Sequence, residues 1–219
     1  SADHTFVICA YRESPFLEQC ILSLRRQTKK SAVIVSTSTP NPHIEALAEK
    51  YELPVFVNTG EKGIAADWNF GLSQARTPLA TVAHQDDCYE PDYLARALAG
   101  LSRPENPLLF FSDYYEIRGA QRVDTNVNLR IKRIMLLPLK FKWAQSSRWV
   151  RRRVLSLGCP ISCPTVTYVR DALPSPLFDA SFHCDLDWAA WERCSRQKGS
   201  FIYCPELLVG HRIHTESTT

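Results

Sequence analysis

The strongest constraint on this chain is an alternation in its first hundred residues. Short apolar runs are each followed by a turn and then by apolar residues at helical spacing. Residues 5–9, 32–35, 54–57 and 79–83 are four such runs, all of strand length. Between them, Phe16, Leu17, Cys20, Ile21 and Leu24 keep helical spacing after a Ser14-Pro15 start signal. Residues 44–51 and 63–75 form two further helical patterns, the second carrying Ala65, Ala66, Trp68, Asn69 and Leu72. Strict alternation of strand and helix predicts a mostly parallel α/β sheet with helices on both faces. Ligands of such sheets gather beyond the carboxyl ends of the strands, so residues 10–13, 36–39 and 84–87 are expected on one rim.

The fourth run ends abruptly in His84-Gln85-Asp86-Asp87, before Pro91 and a helical stretch over residues 93–101. Adjacent carboxylates at the end of an interior strand raise each other's pKa unless a cation is near. A hard divalent ion resolves that conflict and leaves positions for phosphate oxygens. The same residues also read as a polar turn in which Asp87 caps the next helix. Both readings stand on the residues alone.

Beyond residue 101 the pattern loosens. Residues 108–112 predict a strand, 114–123 a hairpin around Gly119-Ala120, and 161–169 an extended segment. A helix is expected over 185–197, then short strands at 201–204 and 207–209. Residues 1–4 are left outside the fold. No apolar run approaches the ~20 residues that span a bilayer. The eight cysteines include no pair of Cys-x-x-Cys motifs, which argues against structural zinc and for buried thiols in a reducing, cytoplasmic setting.

Charge is uneven. Residues 125–170 contain no acid but ten Lys and Arg, leaving the rest of the chain near −7 against an overall +3. Residues 130–155 interleave these cations with Trp143, Trp149 and several leucines. Three readings fit: peripheral contact with a membrane surface, an anionic glycan acceptor, or packing on the chain's own acidic part. No nucleic-acid-binding module accompanies the charge, so nucleic acid is not an expected partner.

Taken in order, several segments resemble the family 2 glycosyltransferases of the GT-A, nucleotide-diphosphosugar fold. Residues 7–17 are similar to that family's opening strand and donor loop, and residues 63–71 to its Gly…Asn-x-Gly helix. Gln85-Asp86-Asp87 with Pro91-Asp92-Tyr93-Leu94 resembles its Asp-x-Asp region. Phe178-Asp179 with Asp185-Leu186-Asp187-Trp188 resembles the segment bearing the catalytic acid, and residues 211–217 resemble its Arg-x-His tail. Two departures stand out. His84 occupies the place of the first metal-motif aspartate, and Ser36, Thr37 and Ser38 replace the acids that end the second strand.

The resemblance implies one GT-A domain, with a nucleotide-sugar half over residues 5–112 and an acceptor-side half over residues 113–219. It implies inverting transfer from a nucleoside-diphosphate sugar, a UDP-sugar first, to a glycan or lipid-linked hydroxyl, as in cell-surface polysaccharide or cell-wall synthesis. Asp86, Asp87 and His214 are the expected ligands of Mn²⁺ or Mg²⁺, which stabilises the leaving diphosphate. Ala10, Tyr11, Arg12, Glu13, Thr37, Gly63, Asp67, Asn69, His84, Gln85, Asp87 and Arg212 are the expected donor contacts. His84 also reads as a strand-end cap, and His214 as a surface histidine. Asp185 is the expected general base with Asp187 as its alternate, although Asp185 also sits at a helix N-cap position. A non-catalytic sugar-nucleotide or glycan-binding module is the competing reading. A sugar-1-phosphate nucleotidyltransferase fits less well, because residues 10–15 lack a glycine.

Overall fold

The computed structural model describes residues 3–182 and 185–213. Its first half follows the alternation. Strand β1 (His4–Ala10) leads to α1 (Leu17–Arg25), β2 (Ala32–Thr37) to α2 (Pro42–Lys50), and β3 (Val55–Val57) to α3 (Ile64–Gln74). Then come β4 (Leu79–His84), the short β5 (Cys88–Tyr89) and α4 (Tyr93–Leu101). Asn41 caps α2 by accepting the Ile44 N–H at 3.0 Å, with Pro42 opening the first turn. Helix α1 starts at Leu17 rather than at Pro15, because Ser14 turns its hydroxyl to Asp86 and accepts the Phe16 N–H.

The second half adds β6 (Pro107–Arg118), β7 (Gln121–Val123), three helices, α5 (Val127–Leu136), α6 (Lys142–Ser146) and α7 (Arg148–Leu155), then β8 (Val166–Val169), α8 (Leu186–Ser195) and β9 (Ser200–Arg212). The predicted strand and hairpin of residues 108–123 are one long strand turning back at Gly119, whose φ of 61° suits glycine. The two short strands expected after residue 200 are likewise one, β9. Its register against β6 jumps from Cys204 to Leu207, so Pro205 and Glu206 bulge out of an otherwise continuous ladder. The segment expected to be extended at 161–169 is a 3-10 turn, Cys163–Thr165, followed by β8.

One sheet runs through both halves in the order β3-β2-β1-β4-β8-β6-β9-β5, with β7 paired to β6. The strands β3, β2, β1 and β4 are parallel; β8 opposes both β4 and β6, and β6 and β9 are again parallel. Successive side chains alternate between two cores, as a period of two requires. Phe6, Ile8, Ala83 and Phe110 join the core under α1, α2 and α4; Val82, Leu109 and Phe111 join the one under α3, α7 and α8. Gly71 lets α3 lie close on the sheet, since a Cβ there would stand 2.8 Å from Val7 Cγ1 and 3.2 Å from Ser36 Oγ.

His4 belongs to the fold, contrary to its exclusion on sequence. It is 1% exposed, with its ring between Ser31 Oγ (2.8 Å) and Thr81 Oγ1 (2.9 Å). Arg151, one of the ten cations counted above, is fully buried. Its guanidinium donates to the carbonyls of Gln145, Ser195, Gln197 and Gly199, closing the carboxyl end of α8.

Candidate functional site

The parallel register carries three loops to one edge. Ala10 pairs with Thr37 across β1 and β2, and Cys9 with His84 across β1 and β4. The first strand therefore has its two successors on opposite sides, the arrangement that opens a crevice at the strand ends.

Side chains lace these loops together. Gln85 holds both backbone groups of Tyr11, accepting its N–H at 3.0 Å and donating to its carbonyl at 2.8 Å. Arg12 N–H donates to Thr39 Oγ1 at 2.6 Å, while Thr37 Oγ1 accepts the Thr39 N–H at 3.0 Å. Ser14 donates its hydroxyl to Asp86 Oδ1. Asp67, at the start of α3 just past Gly63, accepts from Ser38 Oγ (2.7 Å) and Asn58 Nδ2 (2.8 Å). An acid missing from the end of β2 is thus brought there from α3. Tyr11, Arg12 and Glu13 remain exposed, and Arg12 has a left-handed φ of 56°.

The two adjacent acids part company. Asp86 lies at the rim, whereas Asp87 is 1% exposed and turned inward. Asp87 Oδ1 accepts from His211 Nδ1 at 3.0 Å and from the Arg212 N–H at 2.9 Å. His84 Nδ1 lies 3.7 Å from its other oxygen. Burial pushes the Asp87 carboxyl up, but His211, His84 and the Arg212 N–H outweigh it and hold it below its ordinary value. His211 moves the opposite way: burial lowers it, and Asp87 more than restores it to above the usual imidazole value. His84 is pushed down by burial first; its ring stacks on Trp68 at 5.0 Å, and its buried Nε2 has no hydrogen-bond partner. Arg212 is buried as well, donating to the Asp86 carbonyl (3.0 Å) and Gln19 Oε1 (2.8 Å) with its guanidinium over the Phe16 ring. It sets the backbone of the acidic loop.

The second half of the chain closes around this rim. Asn69, expected at the donor, spends its amide on Phe178 of the later half, donating to the carbonyl at 2.7 Å and accepting the N–H at 3.0 Å. An open cavity of about 510 Å³ lies there, walled by Asn58, Asn69, Phe178, Asp179 and Arg193. At the start of α8, Asp185 is exposed, has a left-handed φ of 56° and makes no side-chain cap. Asp187 is half-buried; burial pushes its carboxyl above the ordinary value against the pull of the Trp188 N–H and Lys132. Lys132 Nζ in turn donates to Tyr114 OH at 3.0 Å, and the Tyr114 ring meets His211 edge-on at 5.9 Å. Contacts therefore run from Lys132 through Tyr114 to the His211–Asp87 pair, with Asp187 within reach of the Lys132 charge.

His214 lies outside the described residues. His211, Lys132 and Ser14 were missed on sequence. His211 is revealed only by the pairing of β9 with β5 and Lys132 only by its bond to Tyr114 on β6, while Ser14 carried a helix-start signal that masked its contact with Asp86. Among the described residues, no group of three His, Cys, Asp or Glu side chains is arranged to hold a metal ion. No helix of the described residues is long and apolar enough to cross a membrane.

A family model described as glycosyl transferase family 2 matches residues 5–156, more than half of the chain. No curated protein matches the sequence. Among solved structures, S. aureus TarS (residues 1–349, in complex with UDP-GlcNAc) superposes with a TM-score of 0.68 at 14% identity, covering 98% of this chain and 60% of that one. A mannosyltransferase, PcManGT from Pyrobaculum calidifontis, in complex with GDP-Man and Mn²⁺, superposes with a TM-score of 0.73 at 14% identity, covering 99% and 58%. The chain thus spans about 60% of the length of these structures. The curled, mostly parallel sheet is the GT-A fold.

Proposed function

The chain belongs to glycosyl transferase family 2, and from that premise we propose that it moves a sugar, with inversion, from a nucleoside-diphosphate sugar to a hydroxyl of a glycan or lipid-linked acceptor. The carrying observation is the laced rim at the strand ends, where residues 10–14, 36–39 and 84–87 converge around Asp86. Nucleoside recognition falls to the β1 and β2 loops, with Asp67 and the hydroxyls of Ser38 and Thr39 as the polar contacts for ribose and base. A UDP-sugar is the first donor to test, and a GDP-sugar the second.

The donor set fits a divalent cation held mainly by diphosphate oxygens, since such ions take one or two carboxylates and leave the rest to phosphate and water. Asp86 would hold it, with His214 as a second ligand, while Asp87 is engaged with His211 and Arg212. When bound, Mn²⁺ or Mg²⁺ supplies Lewis-acid stabilisation of the leaving diphosphate.

On the acceptor side, Asp185 takes the proton from the attacking hydroxyl. Its support is the left-handed backbone, which a non-glycine residue adopts at a cost, together with the absent cap and the open side chain. Asp187, tied electrostatically to Lys132, steadies the wall behind it. The test is transfer and donor hydrolysis measured with UDP- and GDP-sugars. Turnover in the parent chain and its loss in Asp86→Ala support the proposal; donor binding without turnover under any acceptor would make the chain a binding module.

A further inference from the structure

Among the described residues, twelve large hydrophobic side chains are exposed, and eight of them fall within residues 127–157. They are not scattered. The helices α5, α6 and α7 pack around the 3-10 turn Leu137–Lys140 and give their inner faces to the core through Leu129, Leu136, Val150 and Val154. Their outer faces remain apolar. Val127, Ile131 and Ile134 recur along α5 at intervals of four and three, which places them on one side of the helix. Phe141, Trp143 and Trp149, carried by the neighbouring α6 and α7 segments, are exposed as well, the two tryptophans 68% and 69% exposed. A helix apolar on two sides, with only one side covered, has a partner to find.

Charge identifies that partner. Arg130, Lys140, Lys142, Arg148, Arg152 and Arg153 are exposed on the same helices and turn, and residues 125–170 contain no acid. A two-fold contact with a second copy would set this basic patch against itself. A soluble polyanion would satisfy the cations but has no use for Ile131, Ile134 and the tryptophans. A surface offering negative charge above an apolar layer satisfies both. We infer that the outer face of residues 127–157 docks on an anionic lipid bilayer, with the aromatic side chains at headgroup depth and the cations among the lipid phosphates. Helix α5 also carries Lys132 toward Tyr114 on its inner side, so docking sets the candidate cleft at the lipid surface. This inference stands independently of the transfer reading.

The test is co-flotation of the chain with vesicles of phosphatidylcholine alone and of equal parts phosphatidylcholine and phosphatidylglycerol. Binding to the mixed vesicles only, weakening as salt rises, is expected. Lys142→Glu with Arg148→Glu should lower the partition coefficient about twenty-five-fold or more, at roughly fivefold per cation removed. Trp143→Ser with Trp149→Ser leaves every charge in place and should also release the chain; both positions are exposed, so the melting temperature checks that the fold is kept. Three results would overturn the inference: no flotation with the mixed vesicles at low salt, binding unaffected by the tryptophan pair, or a self-associated chain whose dimer is dispersed by that pair.

Discussion

Asp87 offers the sharpest test of how the acidic loop is built. If its carboxylate is a buried anchor, as its bonds to His211 and the Arg212 N–H require, then Asp87→Ala takes the acceptor from the buried Arg212 N–H and from the part-buried His211 ring. Hydrogen bonds to a charged group contribute about 1.5–3 kcal/mol each, so the expected loss is about 3–5 kcal/mol. For a chain of this size that lowers the melting temperature by roughly 6–20 °C. Asp87→Asn keeps an acceptor for the Arg212 N–H and should cost only about 1–2 kcal/mol. The pH dependence carries a second signature. Asp87 is depressed, so its contribution is present above the ordinary carboxylate value and lost as pH falls through its lowered one. His211 is raised, so its contribution is full below about 6.5 and is lost as pH rises through the elevated value. The penalty of Asp87→Ala should therefore peak between about pH 4 and 6.5 and shrink on the alkaline side. The assay is urea denaturation of both variants across that range, without added metal. A loss below about 1 kcal/mol at every pH would refute the inward-facing anchor and return Asp87 to the rim as a ligand.

Three further outcomes follow from the same geometry. Asp185→Asn should keep donor binding and reduce transfer by about 10²–10⁴-fold, whereas Asp187→Asn should cost less and shift the pH–rate profile; the reverse order in steady-state kinetics would move the base to Asp187. His4 is held neutral by burial, with its pKa lowered to about 3, so folding loses stability as pH falls below about 6.5, at up to about 1.4 kcal/mol per pH unit. His4→Gln should flatten that acid limb in denaturation curves, and an unchanged limb would contradict the buried-neutral assignment. Arg151→Met keeps the packing over Phe201 but strands carbonyls at the end of α8, and should cost about 2–4 kcal/mol by the same measurement; a loss within 0.5 kcal/mol, the range of an ordinary surface change, would deny it a capping role.

Much of the first half was legible because it obeys local rules. Periodicity located β1 to β4 and their helices, and the rule for strand ends brought residues 10–13, 36–39 and 84–87 together before any coordinates. What stayed hidden depends on distant pairing. His211 stands 124 positions from Asp87, and only the antiparallel contact of β5 with β9, Cys88 against Gly210, brings them together. The gap between the strands expected at 201–204 and 207–209 is a bulge, which is not visible in one strand alone. Asp67 standing in for the absent acids of β2 needed the packing of α3 on the sheet at Gly71. Asn69 reads the same on sequence whether it meets a donor or a neighbouring loop; its bonds to Phe178 are a matter of tertiary closure. Arg151 was indistinguishable from Arg152 and Arg153, since three consecutive arginines on a helix necessarily point in different directions.

The strand-end rim around Asp86 is the proposed binding place of a nucleoside diphosphate. Isothermal titration of UDP and GDP into the chain, with and without Mn²⁺, measures this directly. Saturable binding of at least one of them is expected, strengthened by the ion and lost in Asp86→Ala while the variant stays folded. Heats indistinguishable from dilution for both nucleotides with Mn²⁺ present, or binding that survives Asp86→Ala undiminished, would contradict it.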